Sequence, residues 1–178
     1  GLIGLLLASQ AESPVTRLVL NDVGPMITAA SLARIGEYLG SAPRFDGIEQ
    51  AEAFVRFVSA PFGKLSDAQW RHLTAHVTRS TADGGVEFAY DPGLAQPFRE
   101  MLAESGGKDI ELWPLYDAVT CPTLLLRGVD SDLLTHDTAV EMSRRGPQAR
   151  LVEIPDAGHA PMLMDLSQVL PIREFLLA

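Results

Sequence analysis

Apolar and polar residues follow two different rhythms along this chain, and the change of rhythm divides it. Residues Gly1 to Gln10 are apolar nearly all round, as in a helix buried on more than one side. Ser13-Pro14 breaks that run. Arg17-Leu-Val-Leu-Asn21 then sets a short apolar centre before Gly24-Pro25, the pattern of a buried parallel strand and its exit loop. From about Thr28 to Leu112 apolar positions recur at helical spacing, as in residues 51–58 and 67–77, with Asp67 as a helix start. Pro61-Phe-Gly63, Asp83-Gly-Gly85, Asp91-Pro-Gly93 and Gly106-Gly107 punctuate this stretch, which reads as several short helices with no strand of its own.

After Trp113 the strand rhythm returns. Thr123-Leu-Leu-Leu126 reads as a strand ending at Arg127-Gly128, and Arg150-Leu-Val-Glu-Ile154 as another, closed by Pro155. Thr135 to about Arg145 reads as a helix between them. Thr135 is its N-cap, Asp137 lies in the first turn, and Arg144 and Arg145 lie in the last, the charge order a helix dipole favours. A helix over Leu166–Leu177 closes the chain. Strands alternating with helices predict an α/β fold with a parallel sheet and right-handed crossovers. The expected organisation is a core segment over residues 1–27, a helical insert over 28–112 and a second core segment over 113–178, with about three strands in the sheet.

Composition narrows the function classes. The chain has 178 residues, of which 47% are hydrophobic, enough for a real core rather than disorder. Its net charge of −9 repels phosphate backbones and argues against nucleic acid as a partner. Cys121 is the one cysteine, so no intramolecular disulfide forms and no zinc cluster is spelled out. Before Pro122 and an apolar run it reads as a small buried hydrophobe, and a single cysteine fits a reducing, cytoplasmic setting. The apolar start Gly1-Leu-Ile-Gly-Leu-Leu-Leu-Ala8 has no preceding positive residue. It is also far shorter than the ~20 residues of a membrane span, so neither a signal peptide nor a membrane partner is expected. A chain opening inside an apolar helix reads as truncated.

In a parallel sheet, ligands bind at the carboxyl ends of the strands. Past the first strand come Asn21 and Asp22. Past the second come Asp130, Ser131 and Asp132, and past the third Asp156, Gly158 and His159. A carboxylate that accepts the imidazole Nδ1 proton leaves Nε2 free to take one from a nucleophile or a water. Histidine suits this work because its unperturbed pKa of about 6.5 lies near neutral pH. Gly158 lets the backbone turn tightly before His159.

Four segments carry a resemblance to the α/β-hydrolase family. Cys121-Pro-Thr-Leu-Leu-Leu-Arg-Gly-Val-Asp-Ser-Asp-Leu133 resembles the family's strand and acid loop, and Ile154-Pro-Asp-Ala-Gly-His-Ala-Pro161 its histidine loop. Arg17-Leu-Val-Leu-Asn-Asp-Val-Gly-Pro25 resembles the strand that leads into the lid, and Gly1-Leu-Ile-Gly-Leu-Leu-Leu-Ala-Ser9 the helix that follows the nucleophile elbow. The resemblance implies the C-terminal part of a lidded α/β-hydrolase, with His159 as the catalytic histidine and Asp132 as its acid. Asp130 and Asp22 stay open as alternative acids. It further implies an ester-like substrate with an apolar part, or a related bond, and neither cofactor nor metal. The family's Gly-x-Ser-x-Gly motif is expected immediately before Gly1. Without it the chain is expected to be inactive, and whether the nucleophile is Ser or Asp stays open. The contrasting expectation is a non-catalytic or interaction module of the same fold, prone to self-association or needing its missing N-terminal half.

Other polar residues invite plainer readings. His72 and His76 stand four apart on one helix face, a metal-ligand spacing without a completing carboxylate. His136 is expected exposed, and Ser9, inside an apolar helix, lacks the strained turn of a nucleophile. Trp70, Phe54, Phe57 and Phe62 are candidates for core or for pocket lining. Asp22, Ser131 and Asp156 could each simply organise a turn.

Overall fold

The computed structural model describes residues 1–41 and 43–178. In chain order the elements are α1 (Leu2–Ala8), β1 (Leu18–Asn21), β2 (Met26–Ile27), α2 (Ala29–Tyr38), β3 (Arg44–Phe45), α3 (Ile48–Val58), α4 (Asp67–Val77), β4 (Thr78–Ser80) and β5 (Val86–Phe88). They continue with α5 (Ala95–Ser105), β6 (Ile110–Glu111), α6 (Trp113–Asp117), β7 (Thr123–Gly128), α7 (His136–Met142), β8 (Arg150–Ile154) and α8 (Leu166–Leu177). The chain divides into two compact units. One holds Gly1–Thr28, Pro61–Gly63 and Lys108–Ala178, the other Ala29–Ala60 and Lys64–Gly107.

The first unit is built on a three-stranded parallel sheet of order β1-β7-β8. Asn21 pairs with Leu126 and Gly128 with Ile154, so all three strands end at one edge. Leu124, Leu125 and Leu126 of the central strand are fully buried, which is why the apolar run of β7 is continuous rather than alternating. Leu125 faces a cluster with Leu5, Leu20, Leu134 and Met142. On the other side Leu124 and Leu126 pack with Phe175 of α8. Cys121 is partly buried against the first of these clusters. A short antiparallel pair, β2 with β6, brings the chain back where the other unit leaves and returns.

Tyr116 sits at the centre of the first cluster. It is wholly buried, and its hydroxyl donates to the Met142 carbonyl at 2.5 Å. Burial pushes its phenol up from 10 to about 12. A raised folded value contributes stability below pH 10 that is lost as pH climbs toward 12, because the unfolded chain ionises first. Tyr116→Phe is therefore expected to cost about 1 kcal/mol near pH 8 through the lost hydrogen bond. Above pH 11 the order should reverse, the variant becoming the more stable. Urea unfolding of both proteins at the two pH values checks this; a constant gap would exclude it.

The second unit departs from the expectation of helices alone. Besides α2 to α5 it holds an antiparallel sheet of order β3-β5-β4, with Phe45 paired to Val86 and Thr78 to Phe88. Asp83-Gly84-Gly85 is not a break between helices but the turn joining β4 to β5, closed by the Thr81 amide on the Gly85 carbonyl at 2.9 Å. The strands are two or three residues long, too short for their alternation to show against the helical pattern around them. Phe45, Phe54 and Phe88 fill this unit's core with ring centroids 5.4 to 6.0 Å apart. Ser66 and Gln69 cap α4 reciprocally, which starts that helix at Asp67.

Candidate active site

The ends of β1, β7 and β8 deliver their loops to one edge of the sheet, all within the first unit. Asp22 follows β1 directly. Its φ is +54°, the left-handed region that aspartate tolerates better than most residues. Its amide still donates to Leu126 at 2.8 Å, extending the β1–β7 pairing by one step. The side chain is completely buried, an arrangement that is stable only if its oxygens are satisfied.

Three donors satisfy them. The Gly128 amide donates to Oδ1 at 2.8 Å. The Ser131 hydroxyl donates to Oδ2 at 2.5 Å, and Nδ1 of His159 meets the same oxygen at 2.9 Å. Nδ1 also lies 3.1 Å from the Asp22 carbonyl. Both of these neighbours accept hydrogen bonds, so in the neutral ring the hydrogen belongs on Nδ1 and Nε2 keeps its lone pair. The imidazole is 28% exposed while the carboxylate is sealed. This is the geometry of an orienting acid behind a general base.

The expected pairing of His159 with Asp132 is corrected by this arrangement: the carboxylate at Nδ1 is Asp22. Asp132 and Asp130 both lie exposed on the loop after β7, and the Asp130 amide donates to the Ala157 carbonyl at 2.9 Å. The reason lies in how the histidine loop crosses the sheet. β1 and β8 are separated by β7, and so by about 9.6 Å at the usual strand spacing. The loop reaches Asp22 by folding over the end of β7, where Gly128 has no side chain. A Cβ there would lie 2.3 Å from the Gly158 carbonyl oxygen and 2.5 Å from that of Ala157. Pro61 secures the loop from the other side, its carbonyl accepting from the Gly158 amide at 3.0 Å.

Neighbouring side chains fix the frame. Asn21 donates to the Pro161 carbonyl at 2.9 Å, tying the end of β1 to the chain beyond His159. Arg127 is buried and spans the loop after β7, donating to the carbonyls of Leu134 at 2.9 Å and Val129 at 3.2 Å, and to Glu153 at 2.9 Å. Glu153 also meets exposed His136 at 3.1 Å, and His136 first, then Arg127, holds its carboxyl below the usual range. The sequence marked Ser131 and Asp22 only as turn formers or as an alternative acid, and it passed over Gly128. An Asp at a strand end, shortly before Gly24-Pro25, was the available signal for Asp22.

The remaining candidates lie elsewhere. His72 and His76 stack with ring centroids 4.2 Å apart, and among the described residues no group of three or more His, Cys, Asp or Glu could hold a metal. Ser9 caps α1, its hydroxyl donating to the Leu6 carbonyl. Phe54 and Trp70 are packed within the second unit, Phe57 is exposed and Phe62 is half-buried. Among the described residues no helix is long and apolar enough to cross a membrane.

Residues 1–170 match the sequence model of the alpha/beta hydrolase family. A 3-hydroxybutyrate-oligomer hydrolase of Cupriavidus necator is 42% identical over 173 residues, covering 95% of this chain and 59% of that protein. A solved alpha/beta hydrolase of Novosphingobium aromaticivorans superposes with a TM-score of 0.84 at 31% identity, covering 98% of this chain and 61% of the other. An esterase of M. tuberculosis shares the fold with a TM-score of 0.71 at 22% identity, covering 100% of this chain and 60% of its own. This chain thus spans about three fifths of the length of these relatives.

Proposed function

Because this chain belongs to the alpha/beta hydrolase family, we propose that His159 and Asp22 are the general base and orienting acid of an ester hydrolase whose nucleophile lies outside these 178 residues. The observation that carries this reading is the contact of His159 Nδ1 with the buried Asp22 carboxylate at 2.9 Å, which leaves Nε2 for chemistry. His159 would take the proton of a nucleophilic hydroxyl as it attacks the ester carbonyl. It would return that proton to the departing alcohol, then activate a water to release the acid. The 178 residues contain no Gly-x-Ser-x-Gly. Gly1, at the start of α1, abuts the loop that carries Asp22: a Cβ on Gly1 would fall 2.1 Å from Val23 Cγ1. A nucleophile two or three residues before Gly1, at ~3.8 Å per residue, would enter the same loop edge.

The relative named a 3-hydroxybutyrate-oligomer hydrolase supports short oligoesters of small hydroxy acids as the substrate class in this reading. On this reading the 178 residues alone are catalytically inert, and a polypeptide extended upstream through a Gly-x-Ser-x-Gly elbow is active. Both are to be assayed on p-nitrophenyl butyrate and on a 3-hydroxybutyrate trimer. Turnover is expected from the longer form only, reduced at least ~10³-fold by His159→Ala. His159-dependent turnover by the 178 residues would overturn the placement of the nucleophile. An extended form inert toward every ester would end the hydrolase reading in favour of a non-catalytic module.

A further inference from the structure

Ser131 stands out among the polar side chains around the site because every hydrogen-bonding position on its hydroxyl is committed. The oxygen accepts from the amides of Leu133 at 3.2 Å and Leu134 at 3.1 Å. A hydroxyl has two lone pairs and one hydrogen, so the only direction left for that hydrogen is outward along the third bond. There it meets Oδ2 of Asp22 at 2.5 Å, the length of a hydroxyl donating to a charged carboxylate. Oδ2 is also the oxygen that faces His159. The hydroxyl and the imidazole therefore compete for one oxygen of one buried carboxylate.

We propose that Ser131 is a positioning residue that sets the basicity of His159 through Asp22. The assignment rests on the reading of His159 and Asp22 as base and orienting acid. The hydroxyl does two things. It fixes the carboxylate in the plane that presents Oδ2 to Nδ1. It also draws off part of the negative charge that would otherwise stabilise the imidazolium. The two amide bonds that aim it come from the loop clamped at both ends by Arg127, so the donor is held by backbone rather than by a free rotor. Asp130 and Asp132 on Ser131's own loop, and Asp156 before His159, are the exposed carboxylates of the same two loops. They are unchanged when Ser131 is substituted, so the difference between variants reads the hydroxyl alone.

The test is the protonation of His159, followed by ring ¹⁵N NMR in the wild type and in Ser131→Ala, with His159→Ala assigning the resonance. Removing the hydroxyl concentrates charge on Oδ2 and favours the imidazolium. The midpoint is expected to move up by about half a pH unit, and the acid limb of the kcat/KM profile on p-nitrophenyl butyrate should move with it. Ser131→Cys, nearly isosteric and a weak donor, should move the midpoint the same way by less, and it serves if the alanine variant fails to fold. A folded variant of either kind with an unmoved midpoint overturns the proposal and leaves Ser131 a loop-forming residue. A shifted midpoint in a protein without ester turnover would sustain the role of Ser131 while sinking the hydrolase reading, so the two failures are distinguishable.

Discussion

In a polypeptide extended upstream through the proposed elbow, Asp22→Asn is expected to lower kcat by about 10⁴-fold, while Asp132→Asn changes it by no more than about threefold. The two substitutions are chemically the same and differ only in where the carboxylate stands. The amide at position 22 keeps the shape of the side chain but offers an N–H in place of one acceptor oxygen. If the amide oxygen serves the Gly128 amide, its NH₂ group faces His159 Nδ1 and the Ser131 hydroxyl, the two donors that Oδ2 now satisfies. The imidazole must then present a lone pair at Nδ1 and carry its hydrogen on Nε2, which removes the base. Asp132 is exposed and is not the carboxylate at Nδ1. Steady-state kinetics on p-nitrophenyl butyrate separates the two positions. A large loss at Asp132 with a small one at Asp22 would return the acid to the loop after β7.

The second large effect is structural. Gly128→Ala is expected to destabilise the protein by about 3 kcal/mol or more, a fall of about 10 °C in Tm for a chain of this size. The added methyl would overlap the carbonyl oxygens of Gly158 and Ala157 at 2.3 and 2.5 Å, and backbone cannot swing aside as a side chain can. Relief requires the histidine loop to lift, which pulls His159 from Asp22, so activity should fall together with stability. Gly4→Ala provides the contrast. Inside α1 its Cβ would meet only Leu18 Cδ1, at an ordinary 3.6 Å, and alanine is favoured over glycine in a helix by about 1 kcal/mol. Thermal unfolding should therefore move in opposite directions for the same substitution at the two positions. A tolerated Gly128→Ala would mean that the loop does not depend on this approach.

Much of this protein was legible in the order of its residues. A continuous apolar run at 124–126 placed β7, because a strand buried on both faces leaves no polar alternation, and the short apolar centre of Arg150-Leu-Val-Glu-Ile154, closed by Pro155, placed β8. Thr135 and Asp137 marked the start of α7 through capping and dipole preferences that act over a single turn, while the helix ends at Met142, short of the expected Arg145. His159 was singled out because Gly158 and a strand end precede it. These are local signals, complete within about ten residues.

The tertiary structure decided what depends on the meeting of distant segments. Asp22, Asp130 and Asp132 all follow strands, and the resemblance of the loop after β7 put Asp132 first among them. His159 meets Asp22 because Gly128 lets the histidine loop cross β7, and the Gly128 amide, Ser131 and His159 converge on this carboxylate from more than a hundred positions along the chain. The hairpin of β4 and β5 was hidden for the converse reason. Its three-residue strands are too short to show a period, and they are held by pairing and by the ring cluster of Phe45, Phe54 and Phe88. Where an interaction closes within one turn, sequence alone specifies it. Where it needs a second strand to supply the partner, only the assembled sheet does.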